Sequence, residues 1–247
     1  MIIIKNPAEI ELMRKAGKVV GDLLKYLEEK ICAGMTTKQL DELAFNFIKR
    51  AGATPSFLNY GGFPASICVS TDEQVVHGIP SNKILKEGML VSVDVGAKLN
   101  GFQGDAARTF MIGDAGEEKR KLISVTRESF FKGVEQFIEG NRLGDISAAV
   151  QKHAESNGFS VVRALVGHGI GREMHEDPSV PNYGHAGHGI KLEKGLVLAI
   201  EPMINLGTYK VLTLDDGWTV VTADGKPSAH YENTVALTEN GAEILTL

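Results

Sequence analysis

Apolar residues at Ile10, Met13, Val20, Leu24 and Leu27 recur on a helical period behind Pro7, a residue suited to a first helical turn. The spacing predicts an opening helix. A second is predicted from "TTKQLDELAFNFIKRAG". Thr36 and Gln39 form a capping box there, Leu40, Leu43, Phe47 and Ile48 give one apolar face, and Gly52 ends the segment. The pattern then shortens to strand-like runs: "SICVS", "GMLVSVDVGAKL" and "GDAARTFMIG". After Gly116 the same order returns. "EEKRKLISVTRESFFKGVEQFI" and "DISAAVQKHAESNGF" read as helices, the latter with Asp145 as N-cap. "FSVVRAL", "GLVLAIEPMI", "WTVVTA" and "ENTVALT" read as strands.

The return is close to periodic. Gly34, Leu40, Ala44, Ile48 and Gly52 are matched 106 residues later by Gly140, Ile146, Val150, Ala154 and Gly158, and "LKEGMLVSVD" is matched by "LEKGLVLAIE" at a shift of 107. A shift held over so long a span points to an internal duplication. It makes Glu201 the counterpart of Asp94. After an insertion in the second hairpin, Glu232 becomes the counterpart of Asp105.

Asp94 interrupts an apolar strand, which is a costly place for a carboxylate. A two-residue Asn100-Gly101 turn pairs Leu99 with Phe102, so Asp94 opposes Ala107 and Asp105 lies diagonally from it on the same face. Such neighbours are at most about 7–8 Å apart. Gly96 and Gly104 are candidate bulge positions that would bring them closer. Arg108 alternates to the opposite face from Asp105. Four unpaired buried carboxylates would cost on the order of several kcal/mol each or hold protons, and two divalent cations would neutralise them.

A nitrogen donor is expected beside them. His168 and His175 lie in a Gly-rich stretch after a strand-like run. His185 and His188 read as a solvated loop, His153 as the polar side of a helix, and His77 as the end of an apolar run. His230 adjoins Glu232 and is assigned to the other face. The residue pattern alone leaves the choice of histidine open.

Composition narrows the class further. The chain has 247 residues, 43 % apolar and 23 % charged, and a net charge of −5. No basic run suggests nucleic acid, no stretch suggests a membrane span or signal segment, and two cysteines (Cys32 and Cys68) make no disulfide framework. A cytoplasmic, reduced setting is the expectation.

"VDVGAKLNGFQGD", "GHGIGREMHEDP", "IEPM" and "YENTV" together resemble, in order and spacing, the methionine aminopeptidases, over essentially the whole chain. The resemblance implies an α+β, duplicated pita-bread fold: antiparallel sheet covered by helices, with pseudo-twofold halves about 1–116 and 117–247 in one catalytic domain, 1–247. It implies a dinuclear site of Asp94, Asp105, His168, Glu201 and Glu232, with Asp105 and Glu232 bridging two divalent ions (cobalt, manganese, iron or zinc). It also implies Glu201 as general base, His175 beside the substrate carbonyl, and His77 near the leaving nitrogen. Tyr60, Phe63, Cys68 and Trp218, with His77 at the edge, would form the methionine pocket.

The expected substrates are peptides and nascent chains with N-terminal methionine before a small residue, with the ribosome as a partner and a monomeric state. Glu201 and Glu232 are only 31 residues apart, and no N-terminal extension precedes the first helix, as in the short type I form. Phe57, Met174 and Asp72 depart from common family residues, at the pocket and at a monovalent-cation site. The rivals are an Xaa-Pro aminopeptidase of the same fold and a metal-free pita-bread binding module.

Overall fold

The computed structural model describes residues 1–247. Helix α1 (Pro7–Lys30) begins where Asn6 and Glu9 exchange capping hydrogen bonds, and α2 (Thr37–Arg50) starts on the Thr36–Gln39 box. Gly52, at φ +73°, turns the chain out of α2. Helix α3 spans Glu117–Val134 and α4 spans Leu143–Ser156. Asp145 is not the N-cap of α4. It lies inside the first turn and reaches back, accepting from the Arg142 N–H at 2.7 Å and from Gly187 N–H at 2.7 Å.

The first sheet is antiparallel. Thr54–Pro55, Leu90–Leu99 and Ile67–Thr71 follow in that order, and Phe102–Met111 also pairs with Leu90–Leu99. The second runs Gly241–Ile244, Asn233–Thr238, Val197–Ile200, Gly167–Gly169, Glu176–Val180, also antiparallel. Two small three-stranded sheets flank them.

Period-two alternation sorts the first hairpin into two faces. Val91, Val93, Val95, Ala97 and Ala106 point at α1 and α2 and are buried with Val20, Leu24, Leu27, Leu40 and Ile48. Ser92, Asp94, Asp105 and Thr109 therefore face inward, away from the helices. In the second half, Phe130 of α3 and Ile146 of α4 pack on Leu198, Ile200, Val235 and Leu237. Ile10 and Met13 of α1 meet Phe102, Val197, Ala236 and Leu245, so the first helix spans both sheets.

That span needs close backbone approach. A Cβ on Gly17 would sit 2.3 Å from the Leu245 carbonyl oxygen, and one on Gly104 2.8 Å from the Gly17 nitrogen. Gly17→Ala should gain about 1 kcal/mol of helix propensity and lose about 3 kcal/mol to overpacking against backbone that no rotamer relieves. The expected net is a Tm lower by about 4–8 °C in a calorimetric scan.

The halves are stitched at one seam. Ala107 and Glu232 exchange backbone hydrogen bonds at 3.3 and 3.0 Å. The Thr234 hydroxyl accepts from Asp105 N–H at 3.0 Å and donates to Asp105 O at 2.9 Å. On the other side, the Thr109 hydroxyl treats His230 in the same manner, accepting from its N–H and donating to its carbonyl, both at 2.9 Å.

One expected strand is broken there. "GLVLAIEPMI" divides at Glu201-Pro202: Val197–Ile200 belongs to the five-stranded sheet, and Met203–Asn205 pairs with Ser228–His230 and Ser160–Val161. Pro202 has no N–H for a ladder. Opposite it, the chain passes from Ser228–His230 to Asn233–Thr238 through Tyr231 and Glu232, and Tyr231 N–H donates to Pro202 O at 3.2 Å. Glu201 and Glu232 thus occupy a corner where paired strands change sheets. "FSVVRAL" keeps regular pairing only over Ser160–Val161. No helix is long and apolar enough to cross a membrane.

Candidate metal centre and substrate cleft

The hairpin register is unbroken from Leu90↔Met111 to Leu99↔Phe102, with Asp94 opposite Ala107 and Gly96 opposite Asp105. The bulges considered at Gly96 and Gly104 do not form. Asn100 and Gly101, at φ +52° and +84°, close a turn whose twist matches the strands, so nothing local forces an extra residue into the ladder. The glycines serve packing instead. A Cβ at Gly96 would meet Met174, Phe57 and Ser56 within 2.9 Å, and Gly104 is where α1 crosses.

All eleven residues singled out in the sequence line one cleft of about 130 Å³ with Phe57: Tyr60, Phe63, Cys68, His77, Asp94, Asp105, His168, His175, Glu201, Trp218 and Glu232. The four carboxylates form its floor and the aromatic residues one wall, where Phe63 and Trp218 meet edge to face at 5.2 Å. Cys68 lies beside Asp94 on the neighbouring strand. Its thiol is held well above the usual range, by burial first and then by the nearby carboxylates.

His168 Nε2 stands 3.7 Å from Asp105 Oδ2 and 3.7 Å from Glu201 Oε1. Its Nδ1–H donates to the Gly169 carbonyl at 2.9 Å, which leaves the Nε2 lone pair facing the carboxylates. The His175 ring lies 4.3 Å from the His168 ring, tilted 56° to it, and its Nδ1 is 2.7 Å from the Tyr60 hydroxyl. His77 adopts φ +59°, an uncommon backbone for a non-glycine residue, beside Gly78, where a Cβ would touch Val69 O at 2.3 Å.

The electrostatics are those of anions withdrawn from water. Burial pushes Asp94 up to about 7; burial, then its neighbours' charge, holds Asp105, Glu201 and Glu232 well above the carboxylate range. Burial lowers His168 to about 4 and keeps His77 and His175 below the usual imidazole value. Asp94 Oδ1, Asp105 Oδ1 and Glu232 Oε1 are buried with no hydrogen-bond partner. Buried acceptors are normally satisfied, and this oxygen-rich set with imidazole nitrogen fits divalent cations. Asp105, His168 and Glu232 bring one donor each within 4.8 Å of one another; so do Asp94, His230 and Glu232.

His230 corrects the sequence reading. It is not on the face opposite Glu232; its Nε2 lies 3.7 Å from Glu232 Oε2 and 3.9 Å from Glu201 Oε2. Residues i and i+2 of an extended chain share a face, so the spacing itself carried the signal. His153 meets Glu128 on the surface, and His185 and His188 are exposed, as expected.

The backbone under the site is also held by side chains. Arg108 donates to the Glu232 carbonyl at 2.6 Å and stacks on Tyr231 at 4.2 Å; Asn182 donates to the Glu201 carbonyl at 2.9 Å. Asp72 accepts from the Lys119 ammonium at 2.7 Å and so has its own cation.

Antiparallel sheets under helix pairs, converging on buried carboxylates and imidazoles, define a metallopeptidase-type centre. Residues 11–239 match metallopeptidase family M24, to which the chain belongs. Over its full length it is 62 % identical to the methionine aminopeptidase of Clostridium perfringens, of which the match covers 99 %. The solved methionine aminopeptidase from Thermotoga maritima superposes with a TM-score of 0.98 at 49 % identity, covering 100 % of this chain and 99 % of that one. The X-Pro aminopeptidase from Thermotoga maritima shares the fold alone: TM-score 0.77, 23 % identity, 100 % of this chain and 63 % of that one. Within the family the chain groups with the methionine aminopeptidases.

Proposed function

We propose that this chain hydrolyses the peptide bond after an N-terminal methionine, preferring a small second residue, on peptides and nascent polypeptides. One observation carries the reading: four inward carboxylates, three of them with unpartnered oxygens, line a cleft with apolar and aromatic side chains. Asp94, Asp105, His168, Glu201 and Glu232 would hold two divalent ions (cobalt, manganese, iron or zinc). When bound, such ions supply Lewis acidity and a water of lowered pKa.

The rest is the work of the chain's own groups. Glu201, at the corner between strands, would take the water's proton and pass it to the leaving amine. His175 Nδ1 pairs with the Tyr60 hydroxyl at 2.7 Å; with the hydroxyl as donor, His175 would carry its proton on Nε2 and donate it toward the substrate carbonyl. His77 stands at the cleft edge near the scissile nitrogen. Tyr60, Phe63, Cys68 and Trp218, with Phe57 beside them, receive the thioether side chain, for which aromatic rings and sulfur are soft partners.

In this reading residues 1–247 are one catalytic domain of two pseudo-repeats, working as a monomer in the cytoplasm, with the ribosome as a partner. Protein stripped of metal should cleave Met-Ala-Ser only after a divalent ion is restored, as read by released methionine. Release of Xaa from Xaa-Pro peptides with Met-Ala-Ser untouched would favour the Xaa-Pro aminopeptidase instead.

A further inference from the structure

His230 is a buried side chain with nothing to do in the protein as described so far. It is 1 % exposed, and both ring nitrogens lack a hydrogen-bond partner. A buried polar group in that state is rare and calls for a partner. We propose that His230 gives its Nε2 to the metal centre as a second imidazole, at the position bounded by Asp94 and Glu232. The proposal rests on the metal-centre reading above and deepens it.

The geometry repeats that of His168. His168 Nε2 lies 3.7 Å from a carboxylate oxygen of Asp105 and 3.7 Å from one of Glu201; His230 Nε2 lies 3.7 Å from Glu232 and 3.9 Å from Glu201. Two donors each about 2.1 Å from one ion stand about 3.4–3.7 Å apart at tetrahedral to trigonal angles. His168 stands at the upper end of that range from both its carboxylates, and His230 does so from Glu232. Glu232 is common to the two donor groups, so each group pairs one aspartate and one imidazole around a shared carboxylate. The backbone of His230 is pinned from both sides by the Thr109 hydroxyl, as that of Asp105 is by Thr234. The ring is therefore presented by a held backbone.

A nitrogen at the Asp94 position changes the donor set from all-oxygen to mixed. Mixed sets favour iron, cobalt or zinc over magnesium and calcium, which prefer oxygen. The two positions would then be alike in donor type.

X-ray absorption of the wild-type chain loaded with two cobalt(II) ions tests this without any substitution. The expected outer-shell scattering fits one imidazole per cobalt; half an imidazole per cobalt, one for the pair, overturns the proposal. His230→Gln should raise the Kd of one cobalt by about 10–100-fold and change the visible d–d bands, with the other Kd within threefold. Unchanged constants and bands in a folded variant would reduce His230 to a bystander. These readouts do not involve peptide cleavage. Two imidazoles in a protein that fails to release methionine would sink the functional reading and leave this one standing.

Discussion

Glu201→Gln is expected to lower kcat/KM for Met-Ala-Ser by at least about 10³-fold, within the usual range for loss of general acid–base catalysis, with further loss where metal occupancy drops. The amide keeps the shape of the carboxylic acid and removes its charge. In the metal-depleted protein burial, and then the charge of Asp94, push the Glu201 carboxyl well above its ordinary value and so favour its neutral form. Gln imitates that form, and the Tm of the metal-depleted variant at pH 6 should equal or exceed the wild type. Released methionine, bound metal per chain and a thermal scan separate the effects. A variant retaining a tenth of wild-type turnover would remove Glu201 from the proton path.

The second large effect is the dependence of stability on pH and metal. Asp94, Asp105, Glu201 and Glu232 all have folded pKa values above their unfolded ones, Asp94 at about 7. The stability such groups contribute is fully present below the unfolded carboxylate values, about 4, and is lost as pH rises through the folded ones. His168 and His230 act oppositely: with folded values of about 4 and 3, they cost stability as pH falls below the ordinary imidazole value of about 6.5. Above about pH 6.5 the imidazoles no longer contribute, so metal-depleted protein should lose Tm as pH rises from there toward 8.5.

Restoring a divalent ion neutralises the carboxylates and should abolish the alkaline decline. At about 1,000 times Kd the linkage is about 4 kcal/mol, or about 8–16 °C in a chain of this size. The gain should be larger at pH 8 than at pH 5.5, because ligands must shed protons to bind. A flat melting profile in chelator between pH 6 and 8.5 would contradict the buried-anion account.

Which parts of this were legible in the chain follows from the range of the forces involved. Helix starts at Asn6-Pro7 and Thr36 are set by groups three residues apart, and the Asn100-Gly101 turn sets the register of its own hairpin. Asp94 and Asp105 could therefore be placed on one face by counting. The near-constant shift then carried the argument to Glu201 and Glu232, which share the cleft with them.

Counting failed where distant elements compete for the same backbone. Pro202 and Tyr231 turn two strands into a corner, and Gly104 answers to α1 rather than to its own ladder. Asp145 serves a loop at Gly187 and the turn before α4 together. His230 was misassigned although its spacing from Glu232 puts both on one side; its isolation from any other partner exists only in three dimensions.

By itself, then, the sequence determined the starts of the first two helices, the first hairpin's register and the shared face of Asp94 and Asp105, because each depends on bonds or periodicities within one segment. The tertiary structure alone decided that these acids share one dry floor, which wall faces them, and which imidazoles reach them. Burial and donor–donor distances belong to pairs of residues far apart in the chain, and no local pattern encodes them.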